Sequence, residues 1–353
     1  MKGESHSALY RKYRPSSFKD VLGQDHIIDV LQKEIETKNI AHAYLFAGGR
    51  GTGKTTVARI LAKEIGTTSK DLYEMDAASN RKIDDFRELN ESVHTLPFDS
   101  EYKVYIIDEV HMLTKEAFNA FLKTLEEPPK HVIFILATTE IDKLPDTIVS
   151  RCQSYTFKQP TRSILTSSVS KVAKGEKVVL EKDAAELIAI LAEGSFRDAL
   201  GILQKVLSYS SDLSADKAGK KITRSEVELV TGAPRGELVS GLLTAISEGN
   251  LDEALRHIQE TVEAGVDFVT FQKLLLDRVR AVMLLRNSSS IQKSIEEQFG
   301  KDDFTLLKKL STEAESKVNS KTLLALLRAY TDTPHAYIKQ LPLELAVISI
   351  LGN

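Results

Sequence analysis

The pattern of apolar and polar positions divides the chain into two parts of different character. Up to about residue 160, short apolar runs rich in aromatic and β-branched residues alternate with segments of helical spacing. Strand-type runs occupy Ala43–Gly48, Lys103–Asp108 and His131–Thr138, with weaker ones at Asp71–Asp76 and Ser154–Phe157. Helical spacing marks Thr55–Ile65, Ile83–Val93 and Thr114–Leu125. Strands separated by helices predict an α/β unit whose parallel sheet is covered on both faces. The last of these helices has clear bounds. Thr114 is a capping residue at its start, and Pro128–Pro129 prevents its continuation.

From about Thr161 the strand signals fade and helical periodicity takes over. Ile164–Val172, Asp183–Leu191 and Arg197–Leu207 read as three short amphipathic helices, a small helical lid. Ser208–Lys221 is polar and reads as a linker, after which Glu237–Ser247, Leu251–Ala264 and Thr270–Leu285 read as helices again. The expected division is therefore an α/β core at 1–160, a small helical domain at 161–210 and an all-helical domain at 222–353.

Composition narrows the picture. A length of 353 residues suits two or three domains, and 42% hydrophobic with 27% charged residues excludes wholesale disorder. With 47 basic and 50 acidic side chains the net charge is −3, so no overall basic field draws the chain onto nucleic acid. Any such contact must come from a local patch or from partner chains. The single cysteine, Cys152, can make neither an internal disulfide nor a cysteine-dominated zinc site, which fits a reducing cytoplasm. Met1–Phe18 has no apolar stretch of signal-peptide length, and Leu345–Leu351 falls well short of the ~20 residues of a membrane span, so no membrane association is expected.

The strongest chemical signal is Gly48-Gly49-Arg50-Gly51-Thr52-Gly53-Lys54-Thr55, followed by Thr56, which fits G-x-x-x-x-G-K-[ST] between a strand and a helix. Glycines let successive backbone N–H groups converge on phosphate oxygens, and the helix start adds roughly half a positive charge. Lys54 is assigned to the β- and γ-phosphates and Thr55 to Mg²⁺. Val104–Ile107 followed by Asp108-Glu109 places two carboxylates at the end of a buried strand, where α/β sheets bind ligands. Asp108 is the candidate to orient Mg²⁺, and Glu109 the candidate to polarise an attacking water.

Ala137-Thr138-Thr139 closes a later strand. A hydroxyl there either holds the lytic water or senses the γ-phosphate, or is simply a β-favouring threonine. Arg151 in Ser150-Arg151-Cys152 and Arg197 in Gly194-Ser195-Phe196-Arg197-Asp198 carry the planar, permanently charged fork suited to phosphate recognition.

Together these residues resemble the AAA+ ATPases of sliding-clamp loaders, most closely the tau/gamma type of bacterial DNA polymerase III. The resemblance rests on Tyr10–Pro15, Phe18–Gln24, the phosphate loop, Asp76–Ser79, Asp108–Leu113, Asn119–Pro129, Ala137–Thr139, Ser150–Cys152 and Gly194–Leu200. In the last third only Leu341-Pro342-Leu343-Glu344 is suggestive, and that region is similar to the family's helical collar mainly in character.

The resemblance implies an ATP-hydrolysing motor subunit that loads a sliding clamp onto primer–template DNA during replication. It implies Thr138 as a polar sensor, Arg151 as the finger reaching a neighbouring subunit's ATP, and Arg197 as a sensor of the chain's own nucleotide. It places Tyr13, Arg14, Pro15, Val21 and Leu22 on the adenine side and Lys123 and Lys143 near the template backbone. Implied partners are delta- and delta-prime-type subunits, further copies of the chain, the sliding clamp and DNA. The family's four-cysteine zinc module is replaced by Ile65–Lys70, so ATP and Mg²⁺ are expected without zinc. With no proline-rich segment after the collar, the resemblance is to the short gamma-type form or to a shortened piece of a longer one. The rival readings are a catalytically silent scaffold subunit, another AAA+ DNA motor such as a branch-migration helicase, and an archaeal or eukaryotic clamp-loader small subunit. The Asp108–His111 and Leu125–Pro129 segments favour the bacterial clamp loader.

Overall fold

The computed structural model describes residues 8–79, 89–212, 221–299, 301–313 and 315–352. It resolves into two units: Met1–Leu165 with Ala192–Gly201, and Thr166–Leu191 with Ile202–Asn353.

The first unit is built on five parallel strands in the order β2-β3-β4-β1-β5. These are β1 Ala43–Gly48, β2 Leu72–Asp76, β3 Lys103–Asp108, β4 Val132–Thr138 and β5 Gln153–Phe157. The three central strands are apolar through Ala43–Ala47, Val104–Ile107 and Val132–Ala137 because both their faces are covered. Alternate side chains serve opposite layers. Leu45, Tyr105, Ile107, Phe134 and Leu136 pack on one side with Phe118, Phe121 and Leu125 of the helix Lys115–Glu126. Tyr44, Phe46, Val104, Ile106, Ile133 and Ile135 pack on the other, against the helices Asp25–Glu36 and Lys54–Glu64. Phe121 and Phe134 meet edge-on with centroids 5.0 Å apart, both fully buried. Truncating either to alanine costs about 3–5 kcal/mol in a packed core.

The weaker strand signals belong to the sheet edges, where side chains need be apolar on one face at most. Both edge strands are present, and β2 starts one residue later than its apolar pattern suggests. Asp71 is used otherwise: its carboxylate accepts backbone N–H bonds from Phe98 (2.5 Å), Asp99 (2.9 Å) and Ser100 (2.9 Å), fastening the loop ahead of β3. Thr114 caps its helix as expected, its hydroxyl accepting from Ala117 N–H at 3.2 Å, and the helix stops at Glu126 before the prolines. Of the predicted helix Ile83–Val93, residues 89–93 are helical, and the rest lies outside the described residues.

Register determines what reaches the working end of the sheet. Ala47 lies beside Thr138, Gly48 beside Phe157 and Asp76 beside Asp108, so the strands deliver the phosphate loop, the acidic pair and the threonine pair together at their carboxyl ends.

The second unit is helical apart from a two-stranded parallel pair, β6 Val179–Leu180 with β7 Lys221–Ile222. Its core gathers Leu242, Leu243, Ile246, Phe271, Leu275, Val279, Leu307, Leu326 and Val347 from the helices Gly236–Glu248, Phe268–Asn287, Lys301–Thr312, Ser320–Asp332 and Leu341–Leu351. Arg278 is buried in this core and donates to both Asp303 carboxylate oxygens at 2.9 and 2.8 Å, so its charge is compensated. The linker expected at Ser208–Lys221 is corrected at both its ends. The helix Phe196–Asp212 runs through its first residues, with Ser208 Oγ donating to Gln204 C=O at 3.0 Å, and Lys221 already belongs to β7. Serine reads as a helix breaker, yet bonding back to the preceding turn lets it continue one. Residues 213–220 of that segment lie outside the described residues.

Candidate nucleotide-binding and catalytic site

The phosphate loop leaves β1 at Gly48, whose φ of +147° and approach to β5 exclude any side chain: a Cβ there would lie 2.5 Å from Phe157 O. The loop turns into the helix Lys54–Glu64. Lys54 Nζ donates to the carbonyls of Gly48 (2.7 Å) and Gly49 (2.9 Å) and is 5% exposed. Burial lowers its pKa, Glu109 and Asp108 oppose that shift, and Arg197 adds to it. An ammonium hydrogen-bonded to loop carbonyls in a buried site is set to exchange them for an anion. Thr52 Oγ1 donates to Gly49 O at 2.9 Å, and the fully buried Gln24 brackets the loop from outside, donating to Lys158 O at 2.7 Å and to Thr52 O at 3.5 Å. Arg50 is exposed, and Gly53 and Thr56 flank Lys54 and Thr55 at the helix start.

Thr55 Oγ1 donates to Asp108 Oδ2 at 2.8 Å. A hydroxyl and a carboxylate from two elements, side by side at the loop, form the hard-oxygen donor set that Mg²⁺ takes together with phosphates, so these residues fit the ion. Among the described residues no group of three or more His, Cys, Asp or Glu side chains could hold a metal by itself.

Glu109 follows in the left-handed region, φ 50° and ψ 44°, an unfavourable conformation for a residue with a side chain. Its Oε2 accepts from both the hydroxyl (2.9 Å) and the backbone N–H (3.2 Å) of Thr139. Thr138, the sequence candidate for the polar sensor, is fully buried; its Oγ1 accepts from Glu140 N–H at 3.0 Å and lies 3.0 Å from His111 Nδ1. The hydroxyl that bonds the Glu109 carboxylate is that of Thr139, the residue just beyond the end of β4 at Thr138.

Arg197 reaches the same end of the first unit. The turn before it is joined to the loop by Phe196 N–H donating to Gly51 O at 3.0 Å, and its guanidinium lies 5.6 Å from the Tyr10 ring centroid. Arg14 has its pKa lowered by burial and by Arg59, Arg197 and Arg11, with Glu74 opposing. Such a convergence of guanidiniums favours an anion among them. Tyr13 and Pro15 are half-buried beside it in sequence; Val21 packs into the core and Leu22 is exposed.

The remaining candidates lie apart from this set. Arg151 is bound within its own neighbourhood, donating to Thr147 O at 2.8 Å and Glu126 Oε1 at 2.6 Å. Lys123 is exposed, and Lys143 pairs with Glu140 at 2.7 Å. Cys152, beside Arg151, has its thiol pushed up to about 12 by burial, which makes it unreactive. The sequence offered a hydroxyl of Ala137-Thr138-Thr139, which the resemblance narrowed to Thr138, and singled out no role for Gln24 or His111, whose partners are distant in sequence.

Comparison with known proteins gives the family. Residues 23–80 and 67–161 match the profile of DNA polymerase III, delta subunit. Residues 165–212 match DNA polymerase III clamp loader subunit, ATPase lid domain, and residues 222–352 match DNA polymerase III subunits gamma and tau domain III. The chain is 32% identical over 336 residues to DNA polymerase III subunit gamma of Buchnera aphidicola subsp. Schizaphis graminum, covering 89% of each. It is 38% identical over 313 residues to DNA polymerase III subunit tau of Bacillus subtilis, covering 83% of this chain and 54% of the relative. The chain thus spans about half the length of that tau subunit. Among solved structures, the Thermotoga maritima RuvB Holliday junction branch migration motor aligns with a TM-score of 0.53 at 25% identity, over 66% of this chain and 79% of that one. The fold class is accordingly an α/β AAA+ ATPase unit followed along the chain by a helical lid and an all-α region.

Proposed function

Since this chain belongs to the gamma and tau family of DNA polymerase III subunits, we propose that it is an ATP-hydrolysing motor subunit of a clamp loader, placing a sliding clamp on primer–template DNA. The observation that carries the reading is the set of contacts at the carboxyl ends of the central strands: buried Lys54 in the phosphate loop, Thr55 bonded to Asp108, and Glu109 bonded to Thr139. A subunit acting only as a scaffold has no need to keep all of these in place.

In this reading Lys54 and the loop N–H groups hold the β- and γ-phosphates, while Arg197 adds positive charge beside them. Tyr13, Arg14, Pro15, Val21 and Leu22 line the adenine side. Thr55 and Asp108 would hold Mg²⁺, which supplies neutralisation of charge on the phosphate oxygens. Glu109 orients and polarises the attacking water, held by Thr139. Arg151, two residues beyond the short helix Asp146–Val149 and paired with Glu126, serves the ATP of a neighbouring subunit.

The functional division is a core at 1–160, a lid at 161–210 and a collar at 222–353, supported by the lid and domain III matches. The partners are delta- and delta-prime-type subunits, further copies of the chain, the clamp, and DNA contacted through Lys123 and Lys143. The site of action is the cytoplasm; no helix among the described residues is long and apolar enough to cross a membrane. The test is Arg151→Ala in the assembled loader. ATP binding should be retained, while clamp- and DNA-stimulated hydrolysis falls about 10³-fold or more. Undiminished stimulated turnover refutes the assignment of Arg151.

A further inference from the structure

We propose that Tyr10 is a positioning residue for Arg197, the face of its ring holding the guanidinium beside the phosphate loop by cation–π attraction without cancelling its charge. The proposal rests on the reading of Arg197 as a sensor of the chain's own nucleotide.

Arg197 stands where a cation is poorly accommodated. It is the second residue of the helix Phe196–Asp212, whose first turn carries the positive end of the helix dipole. Lys54 and Arg14 have their pKa values lowered by burial first and by Arg197 among the neighbouring charges, so both lie near enough to repel it. Among the described residues no hydrogen bond or ion pair holds its guanidinium. The attraction present is that of the Tyr10 ring, whose centroid lies 5.6 Å from the guanidinium carbon. Within ~6 Å the negative face of an aromatic ring draws a cation, most often an arginine. Tyr10, Arg14, Gly51, Lys54 and Arg197 all belong to the first unit.

Both partners are placed by the backbone. Phe196 N–H donates to Gly51 O at 3.0 Å, which ties the start of the Arg197 helix to the phosphate loop. Tyr10 belongs to the helical turn Leu9–Lys12, closed by Arg11 N–H to Ala8 O at 2.8 Å and Tyr13 N–H to Leu9 O at 2.9 Å, with Leu9 buried. The Tyr10 hydroxyl makes no hydrogen bond among the described residues, so the ring is the part in use. Arg11 lies 5.7 Å from the same centroid, and the ring therefore carries two guanidiniums. A carboxylate in its place would hold Arg197 more firmly and neutralise it. An aromatic face orients the guanidinium, leaves its full charge for a phosphate, and binds weakly enough to release it.

The experiment uses the assembled loader and reads kcat, KM for ATP and the melting temperature. Tyr10→Leu should lower kcat/KM for ATP about 2- to 30-fold, the worth of one cation–π contact. Tyr10→Phe keeps the ring and should hold kcat/KM within about twofold of the parent. Progressively fluorinated phenylalanines at this position keep the shape while draining the ring face, and kcat/KM should fall with each added fluorine at constant melting temperature. A merely structural ring gives no such gradient, and the fluorinated series can be read even if the leucine variant does not fold. In an Arg197→Ala background, Tyr10→Leu should have no further effect. Parental kinetics in Tyr10→Leu, a flat fluorine series, or an undiminished effect of Tyr10→Leu without Arg197 each overturns the proposal. Arg197→Ala separates the two levels: if it turns over at the parental rate, the reading of Arg197 fails; if it is impaired while Tyr10→Leu is not, only the role of Tyr10 fails.

Discussion

Gly51 is the position where a single methyl group tests how the phosphate loop and the Arg197 turn fit together. Its φ is +71°, and a Cβ would lie 2.1 Å from Ser195 Oγ, 2.9 Å from Ser195 Cβ and 3.3 Å from Ser195 Cα. Gly51→Ala carries two separable penalties. The left-handed backbone costs an alanine about 1–2 kcal/mol. The overlap adds about 1–3 kcal/mol, the usual range for an overpacked site. Ordinary contact begins near 3.4 Å, so Ser195 must retreat by about 1.3 Å from the new methyl. That movement strains the bond from Phe196 N–H to Gly51 O and carries Arg197 with it.

A total near 3 kcal/mol lowers the melting temperature of a unit of this size by about 6–12 °C. An ångström of misplacement at Arg197 lowers hydrolysis by up to about 100-fold. Ser195→Gly removes the obstructing atoms while costing only a few tenths of a kcal/mol as a cap, since its hydroxyl accepts from Asp198 N–H. The double variant should therefore regain the overlap penalty and keep the backbone one. Thermal melts and steady-state hydrolysis on the four proteins complete the cycle. If Gly51→Ala melts within a degree of the parent and hydrolyses ATP at the parental rate, or if Ser195→Gly gives no rescue, the described contact is refuted.

Two further outcomes follow from contacts on the page. Thr139→Val removes the hydroxyl bonded to Glu109 and should lower kcat about tenfold at constant KM, whereas Thr138→Val should chiefly destabilise, by about 1–3 kcal/mol, because Glu140 N–H and His111 lose a buried partner; the reverse pattern in kinetics and melts contradicts the assignment. For Asp71, burial raises the pKa, but the N–H groups of Phe98 and Asp99 and the N–H and hydroxyl of Ser100 outweigh it and hold the carboxyl at about 2, against an ordinary 3.8. A lowered folded-state pKa means that its stabilisation is complete above about pH 4 and is lost as pH falls toward 2; Asp71→Asn should abolish that part of the acid-limb slope in melts across this range, and an unchanged slope rules it out.

The parts of the fold that the sequence makes legible are those with one physical signal. Val104–Ile107 and Val132–Ala137 are apolar throughout because helices cover both sides of the sheet, and such runs have few alternatives. β2 and β5 read weakly because edge strands carry polar groups such as Glu74 and Gln153, which pair with Arg59 and Glu34. β6 and β7 are two residues each and leave no periodic trace. Ser208–Asp212 looks like linker because its composition is polar, although helix geometry is set by bonding along the backbone.

In the site, the loop and acidic pair are legible because they are contiguous. The choice between Thr138 and Thr139 is not, since the two are adjacent and only the folded chain shows that β4 ends at Thr138 and that Thr139, just beyond it, meets Glu109. The pairs Arg151–Glu126 and His111–Thr138 are 25 and 27 residues apart, and only the folded chain brings them together.

The central claim, that this subunit hydrolyses ATP for its assembly, is tested most directly by placing Lys54→Ala in this subunit alone within an otherwise intact loader. The quantity to measure is ATP turnover stimulated by clamp and primer–template DNA. Loss of the buried ammonium from the phosphate loop should reduce that turnover about 100-fold or more, the scale of one strong electrostatic contact to the reacting groups. A loader that keeps its full stimulated rate with this change would show the chain to be a silent scaffold and contradict the account.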